Sequence, residues 1–457
     1  MNLLKNELPE TWRKASFEDV ADIGTGNPAP QGEQFFKDGT YPFVRVQDMG
    51  RLGMDKYVTD TADHINELAV KKMKCFPKGT VLFTKSGASS LLNQRALLKS
   101  DMYVVSHIAT AKPFDGILSD YLYYWLRTID FNHIAHATTL PSIPLSKVCG
   151  IQLPVAPTIE QNQIVCLLEE LFSDLDNAIE NLKKAQEQLK VYRQTVLHFA
   201  FDGRLTNKNI REGNLPEGWR QVSLGDVCTS VEYGSASKSK KEGRIPVLRM
   251  GNIQNGKFDW TDLVYTNDEN EIEKYSLRKG DVLFNRTNSP ELVGKTAIYQ
   301  GERPAIFAGY LIRINKIESL IEASYLTYYL NSHRARQYGD SVKSFGVNQS
   351  NINGTKLKTY PLPLAPLGEQ RVIVEEIESR FSVCDKMEES IEENLEKASA
   401  LRRSLLKQAF SGDLTKQWRK EHKDLIFGEN STEALLKKIK AEKDALQVKS
   451  KGKKKHD

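Results

Sequence analysis

Two stretches of the chain place apolar side chains in steps of three and four. In the first, Leu168, Leu171, Leu175, Ala178, Leu182, Ala185, Leu189, Tyr192, Val196 and Phe199 keep that rhythm without a break, the spacing of a helix that packs along one seam. In the second, Val374, Ile377, Phe381, Cys384, Met387, Ile391, Leu395, Ala398, Leu401 and Leu405 follow it less regularly. Burying one large apolar side chain is worth roughly 1.5 to 3 kcal/mol, so a wet seam would forfeit on the order of ten kcal/mol. Each helix therefore needs a partner, and the nearest is the other copy.

The copies share their limits as well as their seams. Residues 153–165 read LPVAPTIEQNQIV and residues 362–374 read LPLAPLGEQRVIV. The prolines favour an extended approach, Glu160 and Glu369 put carboxylates in the first turn, and Gly203 and Gly412 stand where a left-handed C-cap is wanted. Ahead of each helix lies a repeated module. LPETWRKASFEDV at 8–20 returns as LPEGWRQVSLGDV at 215–227, with Ser16/Asp19 and Ser223/Asp226 at capping-box spacing and Trp12 and Trp219 as core aromatics. KGTVLF at 78–83 returns as KGDVLF at 279–284, a turn leading into a buried strand, and the runs 102–109 and 305–314 are also strand-like. YLYYWL at 121–126 and YLTYYL at 325–330 predict short helices.

The predicted fold is therefore α+β: two mixed strand and helix domains related by pseudo-twofold symmetry, separated by an antiparallel coiled coil of two long helices. A duplicated unit imitates a twofold dimer, which makes its two helices antiparallel and sends the modules to opposite ends. The boundaries read as 1–157 for the first module, 158–206 for the first spacer helix, 207–366 for the second module, 367–415 for the second helix and 416–457 for a tail. The tail carries 13 of the Lys/Arg residues against 7 Asp/Glu from 414 onward, so the overall charge of +5 leaves residues 1–413 near neutrality. A short amphipathic helix is expected over 431–446 and a solvated, disordered end over 449–457. Five cysteines without a C-x-x-C pair suit a reducing cytoplasm, and neither a signal peptide nor a membrane-spanning run is evident.

Between the modules, polar loops differ while apolar segments repeat, which is where recognition usually sits. These loops are rich in Arg, Lys, Asn and Gln, the side chains that make paired hydrogen bonds to base edges. The candidate DNA contacts are Lys85, Ser86, Asn93, Gln94, Arg95, Thr138 and Thr139 in the first module. In the second they are Arg286, Thr287, Asn288, Lys295, Lys343, Ser344, Asn348, Gln349 and Asn351.

Catalytic signatures are weak. Asn27-Pro28-Ala29-Pro30 lacks the aromatic of a methyltransferase motif. Residues 289–296 end like a phosphate loop but have Ser289 at the place of the first glycine. His133 and His136 near Asp130 have no further ligands at metal spacing and read as ordinary histidines. The chain is expected to be non-catalytic and to hold neither metal nor cofactor.

The twice-occurring LP-x-AP-x-x-EQ lead-in, the long helix closing in AF-x-G-x-LT (200–206 and 409–415) and the W-x-x-x-S-x-x-DV opening resemble the specificity subunit of type I restriction-modification systems. The resemblance covers roughly residues 1–419. It implies two target-recognition domains, each reading one half of a split double-stranded DNA site, held apart by spacer helices. It also implies assembly with two methyltransferase subunits and with restriction subunits, which would carry S-adenosylmethionine, ATP and magnesium. Gly346 to Ile352 is close to the family's G-x-x-Q-x-x-I pattern, whereas the first copy offers Thr138 to Ile143 with Pro141 in place of the glutamine. Phe199, Phe201, Phe410 and Leu414 are plausible docking points for the methyltransferases, or else caps of the coiled coil. Two other classes stay open from sequence: a pseudo-symmetric protein scaffold that does not touch DNA, and a self-contained methyltransferase or nuclease.

Overall fold

The computed structural model describes residues 7–53, 55–86, 92–134, 142–207, 209–211, 213–346 and 349–453, with side chains through residue 445. It divides into one unit of residues 1–182 with 394–457 and another of residues 183–393. Both units repeat one plan.

In the first unit, Arg13–Ser16 enters antiparallel to the exit strand Gln152–Val155. Each strand has only that one partner, so Pro154, which lacks an N–H, is tolerated there. In the second unit Arg220–Ser223 pairs with Pro361–Leu364 in the same register. The expected short helices follow at Phe17–Val20 and Leu224–Val227.

The main sheet of the first unit has the order Ala21–Thr25, Ile108–Pro113, Val81–Thr84, Arg95–Leu98, Tyr57–Val58. That of the second has the order Cys228–Tyr233, Leu311–Lys316, Val282–Asn285, Thr296–Ile298. The expected strands Val81–Thr84 and Val282–Asn285 are central and wholly buried. Behind them sit the helices Ser119–Leu126 and Ala323–Leu330, all but two residues of each buried. Their Tyr121 and Tyr325 hydroxyls donate to the carbonyls of Pro154 and Pro363, both at 2.7 Å.

The long helices are Thr158–Phe201, 44 residues, and Leu367–Ser411, 45 residues. Within each unit they pair antiparallel. In the first unit Glu160 meets Thr415 while Asp176 meets Arg402. In the second, Arg193 meets Asp385 and Glu388 while Thr206 meets Glu369.

The seam differs from the expected one by one residue at some of its steps. Leu168, Leu175 and Val196 are buried, and Leu182 and Leu189 half-buried, as expected. At three intervening steps Ile179, Arg193 and Ala200 are turned inward where Ala178, Tyr192 and Phe199 were expected; Phe172 is buried beside Leu171, and Gln186 and Ala185 are both half-buried. Leu171 is half-buried against the first core, while Tyr192 and Phe199 are exposed. On the second helix Ile377, Cys384, Ile391 and Leu405 are buried and Phe381 and Leu395 half-buried, whereas Met387 and Leu401 are about half exposed. The neighbours Glu388 and Arg402 turn inward instead. At Arg193, Glu388 and Arg402 the cause is ionic: Arg193 bridges Asp385 and Glu388 at 2.6 and 3.1 Å with its guanidinium over Phe381, and Arg402 reaches Asp176 while covering Phe172. Charged side chains with apolar stems can fill a seam that a purely apolar pattern cannot reveal.

The two ends expected as docking points are split. Phe201 packs between Tyr325 and Tyr329, and Phe410 against Tyr121, both essentially inaccessible. They close the cores and offer no surface. Gly203 and Gly412 do adopt the left-handed conformation, at φ 74° and 85°.

The tail is not a free end. Thr432–Lys453 is a single helix whose Leu435 and Ile439 enter the first unit's core. Thr432 donates to the Thr11 carbonyl at 2.7 Å, Glu433 pairs with Arg13, and Lys443 reaches Asp19 at 2.8 Å. The amphipathic helix expected over 431–446 is present and runs on to Lys453; its apolar side is packed into the core instead of lying on a solvated tail. The solvated end expected over 449–457 is helical backbone as far as Lys453; residues 454–457 lie outside the described residues.

Candidate nucleic-acid interface

The repeated motifs resolve into one clamp per unit. The Trp12 indole N–H donates to Glu160 at 2.9 Å, and the Trp219 indole to Glu369 at 2.9 Å. The threonine of each closing LT motif reaches the same carboxylate, Thr415 at 2.7 Å and Thr206 at 3.3 Å. The adjacent glutamine ties the module to the helix. Gln161 accepts from the Leu118 N–H and donates to the Ala156 carbonyl, while Gln370 accepts from Glu322 and donates to Ala365. Opening segment, helix start and helix end are thus fastened at one point in each unit. The clamps differ in one respect: Arg419, from the tail, also reaches the fully buried Glu160.

Each module is bound to its helix a second time by a lysine. Lys56 lies between Asp120 and Glu169; burial works to lower its pKa, but its hydrogen bonds to those two carboxylates outweigh burial and raise it. In the second unit Lys257, on a hairpin turned by Asn255 and Gly256, sits 3.8 Å from Asp385.

Beyond the buried strand both units form the same backbone bracket. The Lys85 N–H donates to the His107 carbonyl at 3.1 Å, and the Ile143 N–H to the Lys85 carbonyl at 2.8 Å. In the second unit the Arg286 N–H donates to Tyr310 at 3.0 Å and the Ile352 N–H to Arg286 at 2.9 Å. Ser86 pairs with Ser142 where Thr287 pairs with Asn351. Counted back from Ile143 and Ser142, Leu140 rather than Pro141 falls at the place of Gln349; both lie outside the described residues. So do Thr138, Thr139, Asn348 and His136.

The bracket needs glycine beside it. Gly26 and Gly234 donate to the next strand, and a Cβ at either would lie 2.3 Å from a carbonyl oxygen, of Val105 and Phe307 respectively.

In the second unit most candidates assemble. Thr287–Asn288, Ser350–Asn351 and Ser344–Phe345 form one three-stranded sheet, next to Arg286, Lys343 and the exposed Gln349. The Asn351 amide donates to the Thr287 hydroxyl at 2.7 Å, and the Arg286 guanidinium lies 4.7 Å from the Tyr233 ring centre. Lys295 is elsewhere, its ammonium near the Ile253 carbonyl and Gln254, and burial together with Arg336 depresses its pKa.

In the first unit, Lys85 and Ser86 lie in the bracket, but Asn93 and Arg95 have structural work. Asn93 donates to Asp130 and accepts from the Phe131 N–H at φ 51°. Arg95 is buried over Phe131, bonded to the Gln94 and Ile129 carbonyls. Burial, with Arg127 nearby, lowers its pKa to about 9. A guanidinium spent on carbonyls in the core is not available to a base, so Arg95 is withdrawn from the interface. The half-buried Gln94 comes immediately before Arg95, just ahead of the strand Arg95–Leu98.

Residues missed from sequence complete the picture: His107, whose Nδ1 is 2.8 Å from the Ser86 hydroxyl, and its counterpart Tyr310, 47% exposed. The signal was a polar or aromatic residue directly before the repeated apolar strand, at SHIA and GYLI. Tyr233 and the exposed Lys238, Lys240 and Lys241, just beyond Gly234, were also overlooked. Among the described residues there is no cluster of His, Cys, Asp and Glu able to hold a metal and no helix long and apolar enough to cross a membrane. Residues 289–296 lead into a strand, not the helix a phosphate loop needs.

The model of the type I restriction modification DNA specificity domain matches the chain twice, over residues 9–190 and 216–397. The chain is 28% identical to the StySPI specificity subunit of Salmonella potsdam over 451 residues, 96% of this chain and 97% of that one. It is 27% identical to the EcoKI specificity subunit of Escherichia coli K12 over 452 residues, with the same coverage. A chain from a structure on complex assembly and conformational transition of the type I R-M system matches with a TM-score of 0.70 at 20% identity, over 89% of this chain and all of that one. The HsdS subunit from Thermoanaerobacter tengcongensis matches with a TM-score of 0.54 at 20% identity, over 90% and 100%. At such identities the structural likeness is one of fold. With the family model covering both repeats, the chain belongs to the type I restriction-modification DNA specificity family.

Proposed function

We propose that this chain is the non-catalytic DNA-specificity subunit of a type I restriction-modification complex, with residues 1–157 and 207–366 each reading one half of a bipartite sequence. The observation that carries the reading is the backbone bracket built twice with different side chains: Lys85, Ser86 and His107 in one unit, Arg286, Thr287 and Tyr310 in the other. A duplicated scaffold with unlike tips suits two unlike base tracts. Paired contacts to base edges are worth roughly 1 to 3 kcal/mol each. Three or four from a module would supply the roughly 4 to 10 kcal/mol that separates specific from non-specific binding. Arg286, Gln349 and the Lys238–Lys241 loop are the contacts proposed for the second module, and Lys85 with Ser86 for the first; the Lys343 ammonium is instead taken up by Asp340 and the Pro290 carbonyl.

The spacer helices set the gap. A helix of 44 residues extends roughly 66 Å at 1.5 Å per residue, longer than the roughly 34 to 36 Å of one B-DNA turn. Apolar side chains left exposed on the helices, including Tyr192, Phe199, Met387 and Leu401, support their flanks as the surface that docks two methyltransferase subunits. Methyl transfer, with S-adenosylmethionine, and ATP-driven cleavage by restriction subunits belong to those partners. The test is to exchange residues 1–157 for another module and map the modified sites. One half of the sequence changes; a change in both halves refutes the division of labour.

A further inference from the structure

Phe345 is the most exposed large apolar side chain among the described residues, at 73%. It is not on a loose loop. Ser344–Phe345 pairs in register with Ser350–Asn351, Ser344 opposite Asn351 and Phe345 opposite Ser350, and the Gly346 N–H donates to the Gln349 carbonyl at 2.7 Å. Ser350–Asn351 in turn pairs with Thr287–Asn288, next to Arg286. The hairpin's root is fixed by Lys343, whose ammonium donates to the Pro290 carbonyl at 2.9 Å and to Asp340 at 2.6 Å while lying 5.5 Å from the Phe345 ring centre. Lys356 holds the Ser344 hydroxyl at 2.7 Å.

A bare aromatic ring on a paired strand, with Lys356 on the neighbouring Ser344 hydroxyl and Arg286 beside the far strand of the same three-stranded sheet, suits one occupant. The cations suit phosphates, and the ring suits the gap between two base pairs, where apolar wedges partly unstack a step and bend the duplex. We infer that Phe345 is a wedge: it enters the base stack beside the tract read by the second module and sets that module's register on the duplex. The inference rests on the reading that the second module engages DNA. It adds a positioning residue that contributes no hydrogen bond to any base, and hence a preference for steps that unstack easily.

The test uses the full chain assembled with its methyltransferase subunits, on duplexes carrying its mapped site with a single mismatch moved step by step through and beyond each half. A mismatch removes part of the stacking the wedge must disrupt. The wild-type complex should bind one mismatch position next to the second module's half about tenfold tighter than the matched duplex. Phe345→Ala should lose that preference and Phe345→Met retain it. Tightening at the methylated adenine, where a partner extrudes the base, should survive in Phe345→Ala and so be told apart. Because Phe345 is exposed, the thermal melt of the variant should match wild type. Sequence-specific binding with no mismatch preference, or a preference that persists in Phe345→Ala, overturns the wedge alone. Failure of the wild-type complex to select its site at all overturns the DNA reading beneath it.

Discussion

Replacing Arg419 by methionine tests how the tail is joined to the first unit. The guanidinium donates to Glu160 at 2.8 Å, to the Gly412 carbonyl at 2.7 Å and to the Thr415 hydroxyl at 3.1 Å, and lies 5.4 Å from the Trp12 ring centre. Glu160 has no accessible surface. Removing one member of a buried ion pair costs about 3 to 5 kcal/mol, chiefly because the other is left without its partner. Glu160 keeps its bonds from Trp12 and Thr415, so a value near the lower end, about 3 kcal/mol, is expected. For a unit of this size each kcal/mol moves Tm by about 2 to 4 °C, so the first unit's transition should fall by roughly 6 to 12 °C in calorimetry. Glu160→Gln in the same background should recover much of the loss, since a neutral amide is cheaper to bury. The counterpart Glu369 is half-buried and has no arginine, and Thr206→Val there should cost well under half as much. A loss below about 1 kcal/mol for Arg419→Met, or no recovery in the double variant, would refute the role given to the pair.

Gly26→Ala and Gly234→Ala should each destabilise by about 1 to 3 kcal/mol through the clash with a strand carbonyl, whereas Gly251→Ala, with open space around it, should be near neutral by thermal melt. Asp19 is held below the ordinary carboxylate range by Lys443 first and Ser16 second. Its folded pKa is therefore below its unfolded one, so its contribution is present above the unfolded value and lost as pH falls through the folded value. Acidification below about pH 4 should loosen the tail helix, and Lys443→Ala should raise the Asp19 pKa in an NMR titration; an unmoved value would contradict the contact. Inserting one heptad into both long helices at the same level lengthens the spacer by roughly 10 Å, so the gap between the halves of the modified sequence should grow by about three base pairs with both halves unchanged. Truncation after Leu446 should leave sequence preference unaltered and at most flatten the salt dependence of binding.

The repeat made much of this fold legible, because its apolar segments recur while the loops around them drift. Val81–Thr84, Val282–Asn285 and the two tyrosine-rich helices could be read that way. The EQ and LT motifs were visible as words, but not as a clamp, since Glu160 meets Trp12 and Thr415 only across 148 and 255 residues of chain. The seam was read one residue off at Arg193 and Arg402 because ions fill it there, and at Ile179 and Ala200 because each stands next to another apolar residue, Ala178 and Phe199, that fitted the strict spacing equally well. Arg95 shows the limit of composition: a polar loop residue and a core guanidinium look identical until its carbonyl partners are known. His107 and Tyr310 were passed over for the opposite reason, since their place depends on backbone bonds to Lys85 and Arg286 that no local pattern encodes.

Mapping methylated adenines across a genome that expresses this chain with its methyltransferase and restriction partners bears most directly on two modules reading one duplex. A two-part sequence separated by a fixed run of unread bases is the expected result. An uninterrupted recognition sequence, or two halves at variable separation, would contradict it.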